Sequence, residues 1–259
     1  MDLMLSIAIP SSSLINESDE KIKTYKTGMI ARAAAVFRVD EIIIYRDPML
    51  DESDYIADIL EYLETPQYLR KYLFPLKNSL RFAGILPPLA IPSHKTKHLK
   101  VGEIREGVVR HVGPDGTRWV DVGLKALAQL RSDAPKGARV TVRVCSKKPL
   151  VVEEAEPEEY WGYKVRKMEL VELIDRENVI ITSRRCNVPK IGEVNRDVTL
   201  IFGNPEEGVF EIAKRLGIKM EGKCWNTVPL QGTRSVRLEE AIFATLAVLN
   251  FISYWGGSR

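Results

Sequence analysis

Apolar and polar positions along the first forty-five residues fall into two apolar runs around one amphipathic stretch. Residues 3–10 (LMLSIAIP) predict a buried strand ending in a Ser-rich turn. Ile22, Tyr25, Met29, Ile30, Ala33 and Phe37 then recur at helical spacing, and Ser18, Asp19 and Glu20 suit the first turn. Residues 41–45 (EIIIY) form a second apolar strand. Strand, helix and strand in that order is the unit that builds parallel sheets.

Residues 51–64 predict an acidic helix with Ile56, Ile59, Leu60 and Leu63 on one face. Residues 66–75 predict a shorter helix that turns Tyr68, Leu69 and Tyr72 inward. Pro87, Pro88 and Pro92 then mark a linker. Between residues 95 and 150 the pattern becomes β, with strands at 103–112, 118–123 and 138–145. Val140, Val142 and Val144 alternate with Thr141, Arg143 and Cys145, as in a strand with one buried face. The tract Gly113-Pro114-Asp115-Gly116 is a hairpin turn. Short strands with Gly at the bends predict a small barrel of the OB-fold kind.

After Pro157 the α/β texture returns. Strands are predicted at 170–174, 178–182, 198–202 and 227–230. A helix at 210–216 is closed by Gly217. A long helix at 236–254 has Ser235 as N-cap, Glu239 and Glu240 in its first turns, and Gly256 and Gly257 as its stop. The expected architecture is one α/β domain of residues 1–94 and 151–259, interrupted by a barrel of residues 95–150.

The formal charge of the 259 residues is only +3, but it is unevenly spread. Residues 95–150 hold 13 Lys/Arg and 5 Asp/Glu, so the barrel is strongly basic and the remainder is acidic. A basic barrel suits a phosphate-tracking surface, on which Trp119 could stack a base; the same Trp119 could equally serve the core. Cys145, Cys186 and Cys224 stand far apart with no C-x-x-C, which predicts three reduced thiols and no structural zinc. His94 and His98 sit beside Pro92 in a loop, and no metal site is expected there. The longest apolar stretch, 241–249, is too short to cross a membrane, and the start lacks a basic leader. A soluble, cytoplasmic protein is expected.

Ligands of open α/β sheets bind outside the carboxyl ends of the strands. Two loops there stand out. Phe202-Gly203-Asn204-Pro205-Glu206-Glu207-Gly208 follows an apolar strand directly. Residues 229–241 form a Gly-rich turn leading into a helix N-terminus, where Arg234 and Arg237 oppose the positive helix end and call for an anion. Walker, G-x-G-x-x-G, G-x-S-x-G and H-E-x-x-H motifs do not occur, so nucleotide hydrolysis, dinucleotide redox chemistry and serine hydrolysis lack sequence support.

Ile201 to Val209 resembles the second cofactor-loop motif of SPOUT-superfamily methyltransferases, and Asn226-Thr227-Val228-Pro229 through Ala241 resembles their final knot loop and helix. Gln231 to Ala241 is similar to the pattern of the archaeal–eukaryotic branch that carries an OB-fold inside the knotted domain, and residues 24–33 resemble its N-terminal helix. The resemblance implies a C-terminal trefoil knot, a homodimer packed through the first and last helices, and an RNA substrate. It implies S-adenosylmethionine held by Thr182 and Ser183, by Phe202, Gly203, Asn204, Glu207 and Gly208, and by Asn226, Thr227, Val228, Pro229, Gln231, Gly232, Thr233, Ser235 and Val236. Arg32, which matches an arginine of the first helix in related enzymes, and Arg234 are the implied catalytic candidates. Leu230-Gln231-Gly232-Thr233 replaces the Asn-Val-Ser type of sequence usual in ribose methyltransferases, which favours a base acceptor. The resemblance points to uridine N3 in large-subunit ribosomal RNA. An RNA-binding assembly factor that keeps the fold without turnover is the rival reading.

Overall fold

Six strands pair side by side in parallel among residues 4–190 and 197–256, which the computed structural model describes. They are β1 (Leu5–Pro10), β2 (Glu41–Tyr45), β8 (Lys164–Met168), β9 (Val179–Asn187), β10 (Val198–Ile201) and β11 (Lys223–Trp225). Their order is β11-β9-β10-β1-β2-β8. Every residue of β1, β2 and β10 is buried, because layers cover both faces of a parallel sheet; this is why these strands read as continuous apolar runs. Leu3 and Gly257, the outer ends of the first predicted strand and of the last helix's stop, lie outside the described residues.

Helix α1 (Glu20–Val36) begins at Asp19, whose side chain accepts from the Lys21 and Ile22 N–H groups. Its buried face differs from expectation. Ile22 and Tyr25 are 45% and 50% exposed, whereas Thr24, Thr27, Ile30, Ala31 and Ala34 are buried. The small residues allow close approach: a Cβ on Gly28 would lie 2.8 Å from Leu86 and 2.9 Å from Pro87. Helix α2 (Ser53–Glu64) buries Ile56, Ile59, Leu60 and Leu63 as its periodicity predicts. The last helix, α6 (Leu238–Gly256), packs on α1, with Phe243 edge-on to Phe37 at 5.1 Å.

Three sequence expectations need correction here. Residues 170–174 form a helix, α4 (Leu170–Ile174), and no strand. Glu169 and Glu172 close a reciprocal capping box, and Leu170 and Leu173 are buried at i,i+3 spacing. The strand placed at 227–230 lies earlier, at β11, and the chain turns through Leu230 at φ +53°. Cys186 and Cys224 are joined in a disulfide. Parallel pairing of β9 with β11 brings their Cα atoms to 5.6 Å across 38 residues of sequence, a proximity that cysteine spacing cannot reveal. Cys145 alone is a free thiol.

The chain divides into two compact units, the sheet unit (Met1–Leu63, Ser79–Leu89, Tyr163–Arg259) and a second unit of Glu64–Asn78 and Ala90–Gly162. The second unit closes a barrel from β3 (Ile104–Val112), β4 (Arg118–Asp121), β5 (Ala128–Leu130), β6 (Arg139–Lys147) and β7 (Leu150–Glu154), in the order β3-β4-β5-β7-β6. Only β5–β7 among these pairs is parallel. Val109, Val120, Leu130, Val142 and Val144 fill its interior. Arg105 is wholly buried there, held by the carbonyls of Thr96, His98 and Val122 and by Glu103. Segment Glu64–Asn78, outside the predicted 95–150 insertion, joins this unit. Its helix α3 (Gln67–Leu73) donates from Tyr68 to the Glu106 carbonyl and from Tyr72 to Asp121.

Candidate functional site

Phe202 directly follows β10, and its N–H still donates to the Ala8 carbonyl of β1 at 2.9 Å. From there the chain folds back on itself. Asn204 N–H donates to the Glu207 carbonyl, and Asn204 Oδ1 accepts from the Glu206 and Glu207 N–H groups at 2.8 and 2.6 Å. The turn is so tight that a Cβ on Gly203 would stand 2.4 Å from the Glu207 carbonyl oxygen and 2.7 Å from Gly208 Cα. Gly203 is thus required by the loop itself. Helix α5 (Val209–Arg215) starts immediately after Gly208 and is closed by Gly217 at φ +71°, as expected.

A buried polar network fixes this loop from below. Tyr45 OH donates to the Phe202 carbonyl at 2.7 Å. Asn204 Nδ2 donates to Ser12 Oγ at 3.0 Å, and Ser12 Oγ donates to Asp47 at 2.6 Å. Arg215 grips both oxygens of Asp47, at 3.0 and 3.1 Å, and also Glu207 at 2.6 Å. Burial pushes the Asp47 carboxyl up, but hydrogen bonds from Arg215, Ser12 and the Met49 N–H outweigh it and hold its pKa below the ordinary value of 3.8. Burial and neighbouring Asp47 push the Tyr45 phenol well above its usual range, so it remains a donor. Ser12, Asp47 and Arg215 were invisible to sequence reasoning, because they lie on three separate elements and match no motif.

Beside the loop, Thr182 Oγ donates from β9 to the Ile201 carbonyl at 2.8 Å. Asn226 follows β11; its N–H donates to the Asn187 carbonyl and its Nδ2 to the Arg184 carbonyl. The hydroxyls of Thr227 and Thr245 meet at 2.7 Å and tie this stretch to α6. Thr233 Oγ donates to the Ser235 carbonyl, and Gln231 Nε2 to the Thr233 carbonyl. Helix α6 starts two residues later than predicted. Ser235 is not its N-cap; the Arg237 N–H donates to the Glu240 carboxylate at 3.0 Å instead.

These segments enclose a cavity of about 700 Å³ at the carboxyl ends of β9, β10 and β11, within the size range of small-molecule sites. Thr182, Ser183, Phe202, Gly203, Asn204, Glu207, Gly208, Asn226, Thr227, Val228, Gln231, Arg234, Ser235 and Val236 line it. Pro229, Gly232 and Thr233 do not. Arg32 is absent from the lining too; on α1, its Nη1 donates to the carbonyls of Pro88 and Leu89. Arg234 lines the cavity with an exposed guanidinium that forms no salt bridge among the described residues. Sequence reasoning missed Trp225, Arg184, Arg185 and Thr245 in the lining. Trp225 is 1% exposed, and its Nε1–H has no hydrogen-bond partner among the described residues. Among the described residues no group of three or more His, Cys, Asp or Glu is arranged to hold a metal ion, and no helix is long and apolar enough to cross a membrane.

Residues 4–249 match the profile of a family described as "Putative RNA methyltransferase". A Haloarcula marismortui protein of uncharacterised function is 34% identical over 275 residues, spanning 94% of this chain and 98% of its own. The Homo sapiens 28S rRNA (uridine-N(3))-methyltransferase is 32% identical over 291 residues, covering 95% of this chain and 77% of that one. The Mus musculus protein of the same name is 32% identical, covering 95% and 75%. With a profile match across nearly its whole length, the chain belongs to this family of RNA methyltransferases.

Proposed function

We propose that the chain transfers a methyl group from S-adenosylmethionine to N3 of a uridine in large-subunit ribosomal RNA. The observation that carries the cofactor half is the cavity of about 700 Å³ at the strand ends, walled by the Gly203–Gly208 turn and by the Asn226–Val228 and Gln231–Val236 stretches. The polar lining suits the cofactor: hydroxyls of Ser183 and Ser235, the Thr182 hydroxyl oxygen as an acceptor, amides of Asn226 and Gln231, and the backbone of the Gly203–Gly208 turn. When bound, the sulfonium supplies an already activated methyl group.

The protein's own task is alignment and charge control. The Asp47–Arg215–Ser12 network holds the loop rigid against the cofactor. Arg234 offsets the negative charge that develops on the uracil carbonyl oxygens as N3 gives up its proton to solvent. Arg32 lies outside the cavity lining of its own chain. In the proposed homodimer it serves the partner's site, and the exposed Ile22, Tyr25 and Val36 of α1 supply the apolar face for that pairing. The trefoil knot, the OB identity of the barrel and the cytoplasmic setting belong to the same reading. The uridine position rests on the names of the human and mouse relatives.

Calorimetry with S-adenosylmethionine and its demethylated product tests the first half. Binding of about micromolar strength, roughly −8 kcal/mol, is expected for both. For the second half, methylated ribosomal RNA is read by reverse transcription, which stops at a uridine blocked on its pairing edge. Methyl transfer to a ribose hydroxyl in place of N3 would overturn the base assignment.

A further inference from the structure

The outer surface of the barrel carries an aromatic pair that the cavity does not use. Along β4, Val120 points into the core and Trp119 takes the opposite face, so Trp119 is only half-buried. A register shift in β3 at Arg110 brings His111 opposite Trp119. The two rings stack, with centroids 5.9 Å apart and planes 20° from parallel. Gln129 of β5 lies opposite Trp119 on its other side, and Val151 of β7 lies opposite Gln129. His111, Trp119, Gln129 and Val151 thus form one row across four strands, and none of them is buried.

Charge indicates the occupant. Lys125 and Arg131 flank β5, Lys136 precedes β6, Lys147 ends it and Lys148 follows; all five are exposed and none forms a salt bridge among the described residues. In five-stranded barrels of the OB type the outer face of the second and third strands, here β4 and β5, takes oligonucleotides. We infer that the His111–Trp119 pair is a stacking platform for an unpaired RNA base, with the surrounding cations meeting the phosphates on either side. This rests on the RNA-methyltransferase reading and adds to it a grip on single-stranded RNA at the barrel, separate from the cavity. A flat aromatic pair selects a base over an acidic peptide, since carboxylates offer no π-face.

The test is fluorescence anisotropy of the full chain with a labelled single-stranded RNA and with the same backbone lacking its bases, across a salt series. Trp119→Ala is expected to weaken binding of the base-bearing RNA about 5- to 100-fold while leaving its salt slope unchanged. Trp119→Phe is expected to restore most of that loss, and the abasic strand to bind wild type and Trp119→Ala alike. Equal affinity of wild type and a folded Trp119→Ala for base-bearing RNA would overturn the platform alone. Equal weakening of both variants on both strands assigns Trp119 a structural role and also overturns it. A polyglutamate peptide that binds as tightly, with the same loss in Trp119→Ala, makes the occupant a protein. Absence of any RNA binding by wild type removes the RNA reading as well as the platform.

Discussion

The wall of the cavity and the outer surface of the barrel use charge in opposite ways. Around the cavity of the sheet unit, Asp47 is wholly buried and matched by Arg215 and Ser12, and Arg215 also holds Glu207. On the barrel, Lys125, Arg131, Lys136, Lys147 and Lys148 are exposed and form no salt bridge among the described residues. Buried, satisfied charges fix a shape, because removing one partner strands the other. Exposed, unmatched charges do little for a fold and are available to a polyanion. The cavity is therefore expected to fail by losing its geometry, and the barrel by losing its attraction.

The sharpest break of that contrast is Gly203→Val. A Cβ there meets backbone at 2.4 Å, which no side-chain rotation relieves, so the loop must open. S-adenosylmethionine affinity is expected to fall more than about 100-fold, near 3 kcal/mol, measured by calorimetry. RNA binding, which we propose the barrel carries, is expected to change less than about twofold, within 0.5 kcal/mol. A parallel loss of both would mean that the two units are not independent in function.

Second in size is Asp47→Asn. It leaves Arg215, which is part-exposed, with Glu207 as its only carboxylate, and a cost of about 2–3 kcal/mol in unfolding free energy is expected. The acid side carries a distinct signature. The folded pKa of Asp47 is depressed, so its contribution is complete above 3.8 and is lost as pH falls through the lower folded value. Denaturant titrations are expected to show the wild type converging on Asp47→Asn as pH drops below 3.8. Parallel curves at all pH values would place the stabilisation elsewhere.

How much of this was legible follows from the same contrast. The central strands β1, β2 and β10 read directly from apolar runs, and so did the loop Phe202 to Gly208, because a glycine-bracketed turn after a buried strand is a local signal. The basic barrel read from composition, since unmatched surface charge survives in a simple count. Asp47 and Arg215 did not, since 168 residues separate them and only the sheet order brings them together. The Cys186–Cys224 pairing failed for that reason as well. Residues 170–174 were misread because five apolar-rich residues fit either period, and the capping glutamates decided the outcome. On α1, Ile30 and Ala33 of the expected face are buried, but small residues beside them and not Ile22 or Tyr25 complete the packed face, so a hydrophobicity count found only part of it.

The smallest effect sharpens the comparison from the barrel side, where one titratable ring is interior. His94 is half-buried, and its Nε2 meets the Glu64 carbonyl at 2.8 Å, so that nitrogen carries the proton and donates. Burial pushes its pKa below 6.5; the bond to Glu64 opposes this, while nearby Arg70 and Arg139 add to it. The unfolded chain therefore takes up the proton first as pH falls. Stability from His94 is complete above 6.5 and is lost as pH falls towards the lower folded value. His94→Gln keeps a donor for Glu64 and removes the titration, so its melting temperature is expected to stay flat across that window while the wild type declines slightly. The decline is expected to stay smaller than the Asp47→Asn cost, because a half-exposed ring retains water that a wholly buried carboxylate lacks. If the wild-type curve is flat as well, His94 contributes nothing to stability through its charge near neutral pH.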